Sequence, residues 1–292
     1  AEISYADGRV ASVDLVPAAP VAGAPELCAA ACGDTCTFRW ADGAVYDGGF
    51  ARCEGELSSA LEIEPAGDGV LTTASGATLR GTFARGRLQG EGVGTYPAER
   101  EEYAGQYADG QRCGTGTCRY AEGGVYKGEW AGDERHGRGL LILPSGDMFS
   151  GNFVHGAPER RGVMIYAAGG SYDGELRRYR RHGWGTFQDS ASYRFEGDWL
   201  DEVRCGYGRE TRENGDLYEG QFVDNLRDGR GYFLSVHGEE HEGGWARGMR
   251  SGEGTSVVLQ RDEAERKRRR ISAELVSHRE KHLLTIAPMG GS

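Results

Sequence analysis

From Tyr126 to Trp130 the chain alternates between ring or glycine positions (Tyr126, Gly128, Trp130) and charged ones (Lys127, Glu129). On a strand the first set shares one face and the second set the other. The six residues Ala131 to His136 leave room for a turn. Gly137 and Gly139, again at alternate positions, open a second strand that Leu140 to Leu143 extends. Pro144-Ser145-Gly146-Asp147 is a turn signal, and a new copy starts at Phe149-Ser150-Gly151. The pattern predicts one β-hairpin. Glycine normally weakens a strand unless a ring or another backbone must approach closely. Here rings of the first strand are expected to lie over bare glycines of the second.

The hairpin repeats. The central glycines of the first strands are Gly48, Gly81, Gly105, Gly128, Gly151, Gly174, Gly197, Gly220 and Gly243, and from Gly105 onward each step is 23 residues. The step from 48 to 81 is 33, one period plus a ten-residue insertion. A fixed short period of this kind signals stacked repeats. Two positions after every central glycine but Gly174 stand rings, including Tyr107, Trp130, Trp199 and Trp245. Seven positions after it stand Arg112, Arg135, Arg181, Arg204, Arg227 and Arg250.

The run Y-x-G-x-W, then G-x-G, then a turn glycine, every 23 residues, resembles the MORN-repeat family over roughly residues 40–255. The resemblance implies an all-β fold, an elongated single-layer antiparallel sheet of stacked hairpins. It also implies a scaffold, as in the radial-spoke head proteins of cilia, the membrane-tethering junctophilins and apicomplexan cytoskeletal proteins. Some members attach such repeats to kinases or methyltransferases. The expected organisation is a partial repeat and linker over 1–39, an array of about nine repeats over 40–260, and a basic C-terminal helix and tail over 261–292.

Several segments depart from the pattern. Ser4 to Val10 matches the second strand and turn of a repeat, and the Ala/Pro-rich stretch 17–31 reads as a linker or short helix breaking the array. The insertion between Cys53 and Leu79 carries Glu54, Glu56, Glu62, Glu64 and Asp68 with no basic residue. Arg160 replaces the first glycine of one G-x-G, which predicts a wider or bulged turn. In the next repeat Leu176 replaces the ring and Ser192 the turn glycine. Residues 261–284 lack Gly and Pro and read as a helix. Ile271, Leu275 and Val276 are expected to cover the last open strand edge. The cations Arg266, Lys267, Arg268, Arg269 and Arg270, with Ile271 and Leu275, make the same helix a candidate docking element.

Composition narrows the chemistry. The 292 residues carry a net charge of −11, with three lysines against 31 arginines. That balance argues against nucleic acid as a partner. No apolar run approaches the roughly 18 residues a membrane-spanning helix needs. Seven cysteines, an odd and scattered set, fit free thiols. Cys28, Cys32 and Cys36 are spaced by four but lack the tighter pairs of structural zinc sites. Gly90-Glu91-Gly92-Val93-Gly94 lies in a repeat strand rather than at a strand-to-helix turn, so a dinucleotide loop is not expected. His237 and His241 flank a turn glycine and are read as turn residues. No catalytic, metal or cofactor site is expected, nor a pocket, because a single sheet has little concavity.

Two columns remain as candidate partner-binding sites. The arginines would form either a ladder with acids such as Asp109, Asp133, Asp201 and Asp224, or a stripe for an anionic partner. The rings would serve as a groove if left uncovered. The resulting expectation is a non-enzymatic scaffold with protein partners in a large assembly, cytoplasmic, in a cilium, axoneme or cytoskeleton. A tether to acidic phospholipids is the alternative, and a repeat domain of a larger enzyme the third reading. Open sheet edges make a homo-oligomer conceivable.

Overall fold

A computed structural model describes residues 2–4, 10–16, 35–52 and 63–271. The fold is all-β antiparallel with one C-terminal helix, and it divides into two units, residues 1–167 and 168–292.

Unit 1 contains β1 (Glu2–Ser4), β2 (Val10–Val16), β3 (Thr35–Trp40), β4 (Val45–Arg52), β5 (Ile63–Thr72), β6 (Thr78–Ala84) and β7 (Arg87–Tyr96). It continues with β8 (Glu101–Ala108), β9 (Gln111–Tyr120), β10 (Val125–Ala131), β11 (Glu134–Ile142), β12 (Met148–Val154) and β13 (Ala157–Ile165). Each strand pairs antiparallel with the next in sequence. Unit 2 contains β14 (Ser171–Arg177), β15 (Arg180–Gln188), β16 (Arg194–Leu200), β17 (Val203–Thr211), β18 (Leu217–Val223), β19 (Leu226–Leu234), β20 (Glu239–Ala246) and β21 (Met249–Val258). Its strands also pair in sequence order.

The hairpin turns are tighter than the spacing predicted. Only Gly132 and Asp133 connect β10 to β11, with φ of 56° and 68°. Two left-handed residues in succession match the right-handed twist of the flanking strands. The same geometry recurs at Asp201-Glu202 and Asp224-Asn225. The Arg160 repeat keeps this two-residue turn at His155-Gly156, so it is not wider. Its register does shift between Gly151 and Phe153, as in its neighbours. Ser192 takes a φ of 75°, in the left-handed region its glycine counterparts occupy.

Pairing also starts before residue 40, because β2 and β3 form a hairpin (Ala11↔Trp40 to Val16↔Thr35). The stretch read as a linker therefore connects two paired strands. Cys28, Cys32, Cys53 and the insertion acids Glu54, Glu56 and Glu62 lie outside the described residues.

The rings are the core. Tyr126 stands edge-on to Trp130 at 5.3 Å and to Phe153 of the next repeat at 5.0 Å. In unit 2, Tyr218 does the same with Phe222 at 5.2 Å and Trp245 at 5.1 Å. Each edge-to-face pair adds about 0.5–1.5 kcal/mol beyond area burial. Leu176, the ringless copy, is also buried.

The glycines beneath are forced, as expected. A methyl group on Gly139 would stand 2.5 Å from the Tyr126 hydroxyl oxygen and 2.7 Å from its Cζ. The first glycine of each G-x-G has a different role. Gly137 has φ 55° and sits in a bulge where the register shifts between Gly128 and Glu129. Glu129 Oε1 caps that bulge by accepting the Arg138 N–H at 3.1 Å. Gln106, Asp198 and Gln221 cap the equivalent N–H groups of Thr115, Tyr207 and Arg230.

Candidate protein-interaction surface

The arginine column lies on the ring face, largely enclosed. The Arg112 guanidinium stacks 4.6 Å from the Trp130 ring centre and pairs with Glu101 at 2.9 Å and Asp133 at 3.2 Å. Its carbonyl accepts the Asp133 N–H, and its Nη2 donates back to the Asp133 carbonyl at 3.0 Å. Arg135 makes the same double link to Gly156, and Arg204 to Asn225. Each of these three arginines thus stitches its repeat to the turn of the next. Arg181 stacks on Trp199 at 4.2 Å and pairs with Glu202 at 2.6 Å. Arg250 is the most exposed of the column and pairs with Glu239 at 2.7 Å.

The acid partners differ from those the ladder reading named, Asp133 excepted. The contacting turn belongs to the following repeat, 21 residues on for Asp133. The signal was present as the phase between position +7 and that turn. Arg227 and Arg204 share Glu210, whose carboxylate accepts Arg227 Nε at 2.9 Å and Arg204 Nη1 at 2.9 Å. Burial alone would push the Glu210 carboxyl up. The two guanidinium groups outweigh it, Arg227 foremost, and hold it below the usual carboxylate range.

The ring column is closed over as well. Tyr107, Trp130, Trp199 and Trp245 are only 2–7 % exposed. Trp130 and Trp199 donate Nε1–H back to the Gly116 and Gly185 carbonyls. His241 occupies a tyrosine position in the stack, edge-on to Trp245 at 5.6 Å, with Nδ1 2.8 Å from Ser256 Oγ. Among the described residues no group of three His, Cys, Asp or Glu side chains could hold a metal. Burial pushes the Cys118 thiol up to about 11, so it is protonated at neutral pH. Cys36, Cys113, Cys118 and Cys205 are free thiols.

The helix α1 occupies residues 261–271 of the described chain. Its described part packs on turns of the sheet. Ala264 is buried near Gly238, Lys267 pairs with Glu240 at 2.7 Å, and Arg268 donates to the carbonyls of Gly215 (2.5 Å) and Ser235. The described part of α1 therefore closes the turns ahead of β18 and β20, while every residue of β21 is exposed. Cations fit there because turn carbonyls are bare acceptors. Arg266, Arg269 and Arg270 are exposed and Ile271 is half-buried. Leu275 and Val276 lie outside the described residues.

The face opposite the rings holds a feature the sequence reading did not anticipate. In unit 1 a trough of ≈ 1080 Å³ runs across β6 to β12. Its floor is the paired glycine line Gly92, Gly105, Gly116, Gly128, Gly139 and Gly151. Side chains two positions apart on each strand wall this line on both sides, about 6.6 Å apart. The expected lack of concavity is thus corrected. The glycines that rings demand on one face leave a furrow on the other. Arg80, Lys127 and Arg138 stand on its walls, exposed, and among the described residues their charged groups have no ion pair or hydrogen bond.

Comparison with known proteins supports the repeat reading. The family model described as MORN repeat matches residues 80–98, 103–125, 126–148, 149–171, 172–190, 195–217, 218–236 and 241–257. No curated protein matches the sequence. Among solved structures, the TCP10 domain of Danio rerio CPAP, solved with a peptide of Danio rerio STIL, is 12% identical with a TM-score of 0.45. That likeness covers 88% of this chain and 99% of the other. The SAS-4 (dCPAP) TCP domain of Drosophila melanogaster, solved with a proline-rich motif of Ana2 (dSTIL), is 8% identical with a TM-score of 0.30. That one covers 63% of this chain and 92% of the other. With stacked hairpins, ring-covered glycines and family matches over more than half its residues, this chain belongs to the MORN-repeat family.

Proposed function

We propose that the chain is a non-enzymatic protein-interaction scaffold, and that the furrow of unit 1 receives a segment of a partner protein. The observation that carries this reading is the open, glycine-floored trough with three cations lacking partners among the described residues. The ring and arginine columns are engaged within the fold, so a partner meets the other face. Resemblance to radial-spoke head proteins makes a ciliary or flagellar axoneme, or another cytoskeletal assembly, the proposed setting. A second reading, attachment to acidic phospholipids, draws on exposed Arg266 and Arg269 of α1.

Affinity capture of the tagged full chain from its own cells at moderate salt separates the two. The scaffold reading predicts a stable set of stoichiometric protein partners. Recovery of the chain alone, in a salt-extractable membrane fraction, would replace it with the lipid reading.

A further inference from the structure

We infer that the furrow of unit 1 takes an extended acidic peptide, carrying two carboxylates about six residues apart, from a partner protein. This deepens the scaffold reading and rests on it.

Width selects the backbone form. The walls stand about 6.6 Å apart, two residues along a strand. An α-helix with side chains is about 10–12 Å across and rides above such a furrow. A single extended chain is the slimmer form and can follow the furrow between the tips of its wall side chains.

Charge selects the sequence. One wall is a continuous cross-strand row in which Arg80 pairs with Val93, and Lys127 with Thr117 and Leu140. Arg138 stands on the other wall, on the strand next to Lys127. Against these three cations the walls carry two acids, Glu91 and Glu129, which leaves them at +1 in a chain of net charge −11. The corresponding furrow of unit 2 has the opposite balance, with Glu219, Glu242 and Glu253 against Arg230. Arg209 pairs with Glu219 at 2.6 Å, and Arg194 with Glu196 at 3.0 Å. The cations of unit 1 are therefore the ones left to an external anion.

Spacing sets the register. Arg80 on β6 and Lys127 on β10 are four strand steps apart, about 19 Å. An extended chain at about 3.3 Å per residue covers that distance in about six residues. Six is even, so both carboxylates point to the same side of the peptide. The second carboxylate meets Lys127 and Arg138 together. Val93 and Ala104 offer short apolar contacts between the two anchors.

The test titrates labelled peptides of about ten residues, in a Thr/Ala background, into the full chain by fluorescence anisotropy at low salt. The peptides differ in the separation of two aspartates. The expected result is tightest binding near a separation of six and none with two lysines instead. R80E, K127E and R138E should each weaken it about tenfold or more, with unchanged circular dichroism. Absence of binding, indifference to separation, or indifference to the three substitutions would overturn the inference. So would loss of phosphatidylserine-vesicle binding in the triple variant when no diacidic peptide binds. Cellular capture keeps the two levels apart. Partners that persist on the triple variant would sink the furrow inference and leave the scaffold, whereas a wild-type chain without partners would sink the scaffold itself.

Discussion

Alanine in place of Glu210 is expected to destabilise the chain by about 3–5 kcal/mol, the range for breaking a buried ion pair by removing one partner. Glu210 and Arg227 are 5 % and 6 % exposed, so water cannot replace what is lost. The Arg227 guanidinium lies 4.6 Å from the Tyr218 ring centre and 5.3 Å from that of Trp245, and among the described residues Glu210 is the one carboxylate it pairs with. Chemical denaturation followed by circular dichroism measures the loss, and one below about 1 kcal/mol would show that the network is dispensable. The pH dependence has a definite sign. The folded carboxyl sits below its ordinary range, so its contribution is present above the unfolded pKa and disappears as pH falls through the folded one. Glu210→Gln should therefore flatten part of the acid-side loss of stability.

Alanine in place of Tyr126 is expected to cost a similar amount, about 3–5 kcal/mol by the scale of large aromatic deletions. The side chain is fully buried and contacts Trp130 and Phe153. Its hydroxyl donates to the Glu129 carbonyl at 2.9 Å. Burial pushes that hydroxyl up to about 12, so it remains a donor throughout the physiological range. Since each repeat is held by its neighbours, the loss spreads beyond its own hairpin. Denaturation midpoints measure it, and a cost below about 1 kcal/mol would remove Tyr126 from the core account.

The fold was legible because its signals are local and periodic. Tyr126, Gly128 and Trp130 predict a strand face, and the bare Gly139 opposite predicts the ring that covers it. The arginines were harder. Position +7 marked a column, but its partners follow from how one repeat settles on the next. Arg112 links to Asp133 of the following turn rather than to Asp109 of its own. The two roles within G-x-G were hidden for a related reason. Gly137 and Gly139 look alike on a simple strand, and only the bulge capped by Glu129 puts the first in left-handed backbone. The furrow was missed because glycines were read for the face that needs them. The opposite face receives the same vacancy. Whether Lys127 finds an acid there depends on cross-strand register, since its neighbours are Thr117 and Leu140.

That rings on one face dictate the glycines is the claim on which both the fold and the furrow depend. A double-mutant cycle at Tyr126 and Gly139 tests it most directly. The three atoms nearest a methyl group on Gly139 all belong to Tyr126, and its backbone is not left-handed. Denaturation free energies of wild type, Y126A, G139A and the double variant are compared. Gly139→Ala should cost about 1–3 kcal/mol beneath the ring. In the Y126A background it should cost nothing, or stabilise by about 0.4–1 kcal/mol through the stiffer unfolded chain. An equal cost in both backgrounds would contradict the account.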